Sequence, residues 1–188
     1  MDVMRARTLT SSEHIRAAAR LGGAFGLAML AAACATTQSS APVAGPATAE
    51  FRTSDFNWST TAGQGRIDGQ LKFKAGNTTY SCVDAGVILT PETPWTRRRM
   101  EILYKSPEYA ALPAAVVRAR TPPGRSSDYS AFVKRTACDA SGRFTFDGLP
   151  DGAWFVITVA RPAAGPGQEV AIMRRAKVQG GRVVAVRL

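Results

Sequence analysis

Between Arg66 and Lys74 apolar and polar positions alternate without a break. Ile67, Gly69, Leu71 and Phe73 fall on one side, and Arg66, Asp68, Gln70, Lys72 and Lys74 on the other. A period of two predicts a half-buried antiparallel strand, and Gly76-Asn77 predicts a turn after it. Tyr80 to Leu89 is the next strand region, with Asp84-Ala85-Gly86 read as a bulge before Val87-Ile88-Leu89. The chain is organised around Ala137 to Ala160. There Arg143-Phe144-Thr145-Phe146 alternates polar and aromatic residues, and Trp154 to Ala160 is almost wholly apolar, as a central strand should be. Asp147-Gly148 and Asp151-Gly152 are turn dipeptides and Pro150 interrupts any strand between them, so the two runs predict a hairpin. Tyr129 to Thr136 leads into it, and Glu169–Val178 with Arg182–Leu188 predicts a last hairpin about Gln179-Gly180-Gly181. These runs amount to about seven or eight strands separated by turns, which predicts an all-β fold, a single antiparallel Ig-like β-sandwich.

The period breaks between Thr90 and Gly124. Thr96 is placed to cap a short helix through Arg99, Met100 and Leu103. Ser106-Pro107-Glu108 reads as a second helix start and Ala115–Arg120 as a return to strand. A partly helical insertion over residues 90–124 is a natural place for function. Trp95, Arg97, Arg98, Arg99 and Tyr104, with Tyr109 nearby, make a candidate ligand-binding set. Aromatic rings stack on sugars, and guanidinium groups pair with carboxylate or phosphate. The same residues have a plainer reading, in which Trp95 and Tyr104 pack the insertion onto the sandwich and the arginines are solvated. Phe51–Thr61, with Phe56 and Trp58 at strand spacing, is expected to dock along an edge.

The N-terminus changes the picture. Arg5, Arg7, Arg16 and Arg20 precede Leu21–Ala33, an apolar run of 13 residues that is too short to span a bilayer. Small residues then lead to Cys34. Ala32-Ala33-Cys34 resembles the lipobox of bacterial lipoproteins, with Ala31 where leucine is commoner. The resemblance implies that residues 1–33 are removed as a signal peptide and that Cys34 receives the lipid. Ala35 in place of aspartate points to the outer membrane. More than one acyl chain is needed for stable anchoring, at roughly 0.8 kcal/mol per buried methylene. Residues 34–50, rich in Ala, Thr, Ser and Pro, predict a disordered tether, leaving residues 51–188 as the domain.

Charge and chemistry follow from that division. The whole chain carries a formal charge of +10, of which residues 51–188 and the tether keep +8. This excess favours acidic head groups, acidic glycans or acidic proteins, while an exported chain is not expected to meet nucleic acid. His14, the one histidine, falls in the leader. Without it no serine has a histidine base, Cys82 and Cys138 cannot make a zinc site, and no metal or cofactor is expected. An even pair of cysteines in an exported domain is most simply a disulfide. Asp139, Asp147 and Asp151 are explained as turn residues rather than a catalytic carboxylate pair.

Asp139-Ala140-Ser141-Gly142-Arg143-Phe144-Thr145-Phe146-Asp147-Gly148-Leu149-Pro150-Asp151-Gly152 resembles the D-x-x-G-x-F-x-F-x-x-L-P-x-G pattern of carboxypeptidase-regulatory-like domains. Gly65–Gly69 and Val87–Trp95 are similar to the early strands of their bacterial members. The resemblance implies a transthyretin-like β-sandwich over about residues 65–188 and an accessory, adhesive or structural role. Hydroxyisourate hydrolases and intradiol dioxygenases, enzymes of related fold, need histidines that this domain lacks. The expectation is a non-enzymatic lipoprotein of the outer membrane, facing the periplasm or the cell surface. It would bind or assemble with an envelope protein, or alternatively bind peptidoglycan or an acidic polysaccharide.

Overall fold

The computed structural model describes residues 49–122 and 129–188. The leader, Cys34, nearly all of the tether, and Pro123 and Gly124 at the end of the insertion lie outside the described residues. No helix among the described residues is long and apolar enough to cross a membrane.

The fold is an all-β sandwich. Its strands among the described residues are β1 (Gly65–Gln70), β2 (Lys74–Ala75), β3 (Thr78–Ser81), β4 (Gly86–Pro91), β5 (Tyr109–Pro113), β6 (Lys134–Ala137), β7 (Arg143–Leu149), β8 (Gly152–Pro162), β9 (Val170–Val178) and β10 (Val183–Arg187). One sheet has the order β7-β1-β10. In the other, β8 is flanked by β9 on one edge and by β4 and β3 on the other, β5 adds to β9, β6 to β4 and β2 to β3. The core between the sheets takes Ile67 from β1, Phe144, Phe146 and Leu149 from β7, and Val87, Leu89, Trp154, Val156 and Ile172 from the opposing sheet. A second core lies on the outer face of the larger sheet. There Met100, Leu103 and Tyr104 of α1 (Pro94–Tyr104) and Val117 of α2 (Ala114–Ala119) cover Phe155 and Met173. The unbroken apolar run of β8 is thereby explained, because this strand is buried on both faces.

Several connections differ from the sequence expectations. β7 and β8 do not form a hairpin, since β7 pairs with β1 and the chain crosses to the other sheet through Leu149-Pro150-Asp151. β9 and β10 likewise part at Gly180-Gly181, and β10 runs parallel to β1, so the sandwich is not antiparallel throughout. The two crossings are tied together. Gly180 and Gly181 both have φ +65, a conformation that L side chains disfavour, and their amides donate to the Asp151 carboxylate at 2.7 and 3.3 Å. The strand starting at Arg66 ends at Gln70, after which the Leu71 amide donates to the Gly142 carbonyl at 2.9 Å and the chain changes sheets. Asp84-Ala85-Gly86 is a tight turn rather than a bulge, with Asp84 at φ +57 beside the Cys82–Cys138 disulfide, which is formed.

In the insertion, Thr93 caps α1 and Thr96 completes the capping box, with Pro94 at the first position. Ser106 accepts the amides of Glu108 and Tyr109 and turns the chain into β5, not into a helix. Residues 114–119 are helical, not extended, which turns Val117 inward while Val116 faces solvent. The segment from Phe51 does dock on the domain, as a 3-10 helix, Thr53–Thr60. Phe56 is fully buried there against Phe51, Trp95, Tyr129 and Phe132, and Trp58 packs on Trp154.

Candidate functional site

The five residues expected to bind ligand all lie on α1, which keeps Arg99 with Trp95 and near Tyr104 but turns Arg97 and Arg98 away from them. Successive residues on a helix point about 100° apart, so a run of three arginines cannot form one patch. Arg97 bonds to Glu92 at 2.6 Å and lies 3.6 Å from Glu108. Arg98 pairs with Glu101 at 3.2 Å. Arg99 lies over the Trp95 ring, 5.5 Å from its centroid. Trp95 itself packs among Phe51, Phe56 and Tyr129. Glu92, nearly buried, also takes Arg175 of β9 at 2.5 Å, so this network clamps the insertion to the sheet.

Tyr104 is 4 % exposed and belongs to the second core. Burial pushes its hydroxyl up to about 12, with the neighbouring Tyr129 adding to the effect. A tyrosine that ionises later in the folded than in the unfolded chain contributes stability that is complete below pH 10. That contribution is lost as the pH rises from about 10 to about 12. Replacing Tyr104 with Phe should therefore move alkaline unfolding to higher pH, measured by circular dichroism. An unchanged alkaline midpoint would show that another group triggers it.

A different set of residues forms an open site. Where the chain passes from β1 to β2, the Lys72 amide donates to the Leu188 oxygen at 2.7 Å and Phe73 stacks near Tyr80, which sets Lys72 and Lys74 on one rim. On the facing rim, Tyr109 of β5 stands opposite Arg174 of β9, with the guanidinium 5.2 Å from the ring centroid. Arg174 also donates to the Arg187 carbonyl at 2.6 Å, bringing the end of β10 alongside. These side chains enclose a hollow of about 450 Å³. Its lining contains Lys72, Lys74, Arg174 and Arg187 but no Asp or Glu side chain. Among the described residues, none of the four cations has a carboxylate within 4.0 Å. Tyr109 keeps 41 % of its surface exposed. Such a groove can hold an anionic group by charge-assisted bonds while an aromatic face receives an apolar or sugar surface.

In sequence, Tyr109 lies near the candidate set, while Lys72 and Lys74 fall on the polar side of the strand that starts at Arg66. Arg174 and Arg187 carried no local signal, because they join the site only through the register of β9 with β5 and of β10 with β1.

No family model matches the chain, and no curated protein is similar to it in sequence. Among solved structures, a candidate carbohydrate-binding protein from Pseudomonas aeruginosa is similar over 74 % of this chain and 98 % of its own, with a TM-score of 0.53 and 20 % identity. The minor pilin of Streptococcus agalactiae aligns with a TM-score of 0.32 and 15 % identity, over 70 % of this chain and 44 % of its own. At 20 % identity, the likeness to the Pseudomonas protein is one of fold.

Proposed function

We propose that this chain is a lipid-anchored, non-enzymatic binding module of the bacterial outer membrane whose ligand is an acidic glycan. In this reading residues 1–33 direct export, Cys34 carries the lipid, residues 34–50 hold the domain off the bilayer, and the sandwich is of the carboxypeptidase-regulatory-like kind. One observation carries the glycan assignment: the exposed Tyr109 lies under Arg174 in a hollow lined by three further cations and no acidic side chain. The carbohydrate-binding candidate of similar fold supports it. Assembly with an envelope protein is the second reading, favoured by the edges of β5 and β6, each of which pairs with a single neighbour among the described residues.

Co-sedimentation of the full chain with purified peptidoglycan and with insoluble acidic polysaccharide tests the choice. Tyr109→Ala and Arg174→Ala should each weaken sedimentation about tenfold, the loss of roughly 1–1.5 kcal/mol expected for one stacked ring or one charge-assisted contact. Replacing Arg97, Arg98 and Arg99 together with Ala should leave it unchanged. If the triple variant alone loses binding, the site is on α1. If no glycan is bound while a protein is crosslinked in cells, the assembly reading replaces this one. Release of the Cys34→Ser variant from the membrane fraction checks the anchor in the same preparations.

A further inference from the structure

The basic hollow does not end at Arg187. The same residue lines a second hollow, of about 590 Å³, on the outer face of the three-stranded sheet. Resting on the glycan reading, we infer that the two form one track for a polymer in which acidic and neutral sugars follow one another, and that a single terminal sugar is not the ligand.

The register of the sheet orders the chemistry along this track. Gln70 of β1 is paired with Arg187 of β10 on one side and with Arg143 of β7 on the other, so two cations flank an amide in one cross-strand row. Two strand spacings separate the arginines by about 10 Å, more than the width of one sugar ring. Like charges in one row oppose each other unless an anion lies between them. Asp139 also lines that end: its Oδ1 accepts the amides of Ser141 and Arg143 and the Ser141 hydroxyl, each at 2.8 Å, and its charge offsets part of that of Arg143, while Arg187 has no carboxylate within 4.0 Å among the described residues.

The next row is of another kind. Asp68 stands between Thr145 and the small Ala185, and accepts from the Thr145 hydroxyl at 3.0 Å and from Arg66 at 2.6 Å. Interleaved donors and acceptors over a low floor suit the vicinal hydroxyls of a neutral sugar. Passing from the first hollow to the second, the lining changes from cations with an aromatic ring, to an arginine pair, to a mixed hydroxyl-reading surface. A carboxylate-bearing residue fits the first part and a neutral residue the last.

Calorimetric titration of the full chain in detergent with hyaluronan oligosaccharides tests this, because they alternate an acidic and a neutral sugar. Disaccharide to octasaccharide would be compared with polyglutamate of matching charge. Affinity should rise at least tenfold from disaccharide to hexasaccharide. Arg143→Ala should abolish that rise and leave disaccharide binding as it was. Arg135→Ala, the same loss of charge at an exposed position of β6 away from both hollows, should leave both the rise and disaccharide binding unchanged. Affinity independent of length, or equal effects of the Arg143 and Arg135 substitutions, overturns the track and leaves the groove reading intact. Absence of binding by every oligosaccharide, or equal binding of polyglutamate, removes the glycan reading itself.

Discussion

Replacing both Cys82 and Cys138 with alanine should lower the melting temperature by about 12–16 °C. The disulfide joins positions 56 residues apart, and a cross-link closing a loop of that length removes roughly 4 kcal/mol of unfolded-state entropy. For a domain of this size about 3–4 °C is lost per kcal/mol. Its location adds to the case. Both cysteines are buried, and the surrounding backbone is stitched around them: the Asp84 amide donates to the Cys138 carbonyl at 3.3 Å and the Cys138 amide to the Ala85 carbonyl at 3.2 Å. The bridge therefore fastens the start of β4 to the end of β6, at the point where the chain is about to leave for the other sheet as β7. Scanning calorimetry of the double variant checks the figure. A shift under about 3 °C would show that these backbone bonds hold the edge without the cross-link.

Trp154 should be the most costly single truncation in the inter-sheet core. It is fully buried, pairs across the sheet with Pro91 and Ala176, and its ring centroid lies 5.0 Å from that of Trp58. Trp58 in turn lies so close to Gly152 that an added Cβ there would meet its ring at 2.2 Å. The 3-10 helix is thus seated on the start of β8 through these two indoles. Trp154→Ala is expected to cost about 3–5 kcal/mol, the range for removing a large aromatic from a packed core. Trp154→Phe should cost only about 1–2 kcal/mol. The indole Nε1 is buried without a hydrogen-bond partner among the described residues, a penalty that phenylalanine does not incur. Urea denaturation of the two variants separates these effects. Equal losses would mean that the indole N–H is satisfied in solution by a water molecule.

Much of the sandwich was legible because its strands obey simple periods. The alternation from Arg66 reports one buried face, and the unbroken apolar run from Trp154 reports two. Turn residues marked the strand ends correctly, but they do not say which strand comes next to which. Leu149-Pro150-Asp151 serves a crossing between sheets as well as it would a hairpin, and only the third dimension distinguishes them. The insertion was harder. Val116-Val117 reads as strand from its β-branched residues, yet it is helical because a helix buries Val117 against Phe155 and Met173, tertiary packing overriding a weak local preference. The arginine run on α1 is dense in sequence, although helical geometry splits it: Arg97 and Arg98 pair with Glu92, Glu101 and Glu108, while Arg99 lies over Trp95. The groove left no local trace, since Lys72, Tyr109, Arg174 and Arg187 are each unremarkable in their own segments.

The parallel pairing of β1 with β10 sets the order in which the domain can assemble. Residues 66–70 find their partners at 183–187 and, on the other side, at 143–149. The smaller sheet therefore has no local pairing at all, and a fold dominated by such distant partners closes slowly. Until the final strand is present, Ile67 has only part of its lid and β1 has an open edge. The larger sheet can gather earlier through the adjacent strands β8 and β9. A partly made domain therefore keeps β1 unpaired on its β10 side, and the smaller sheet closes only once residues 183–187 have been made.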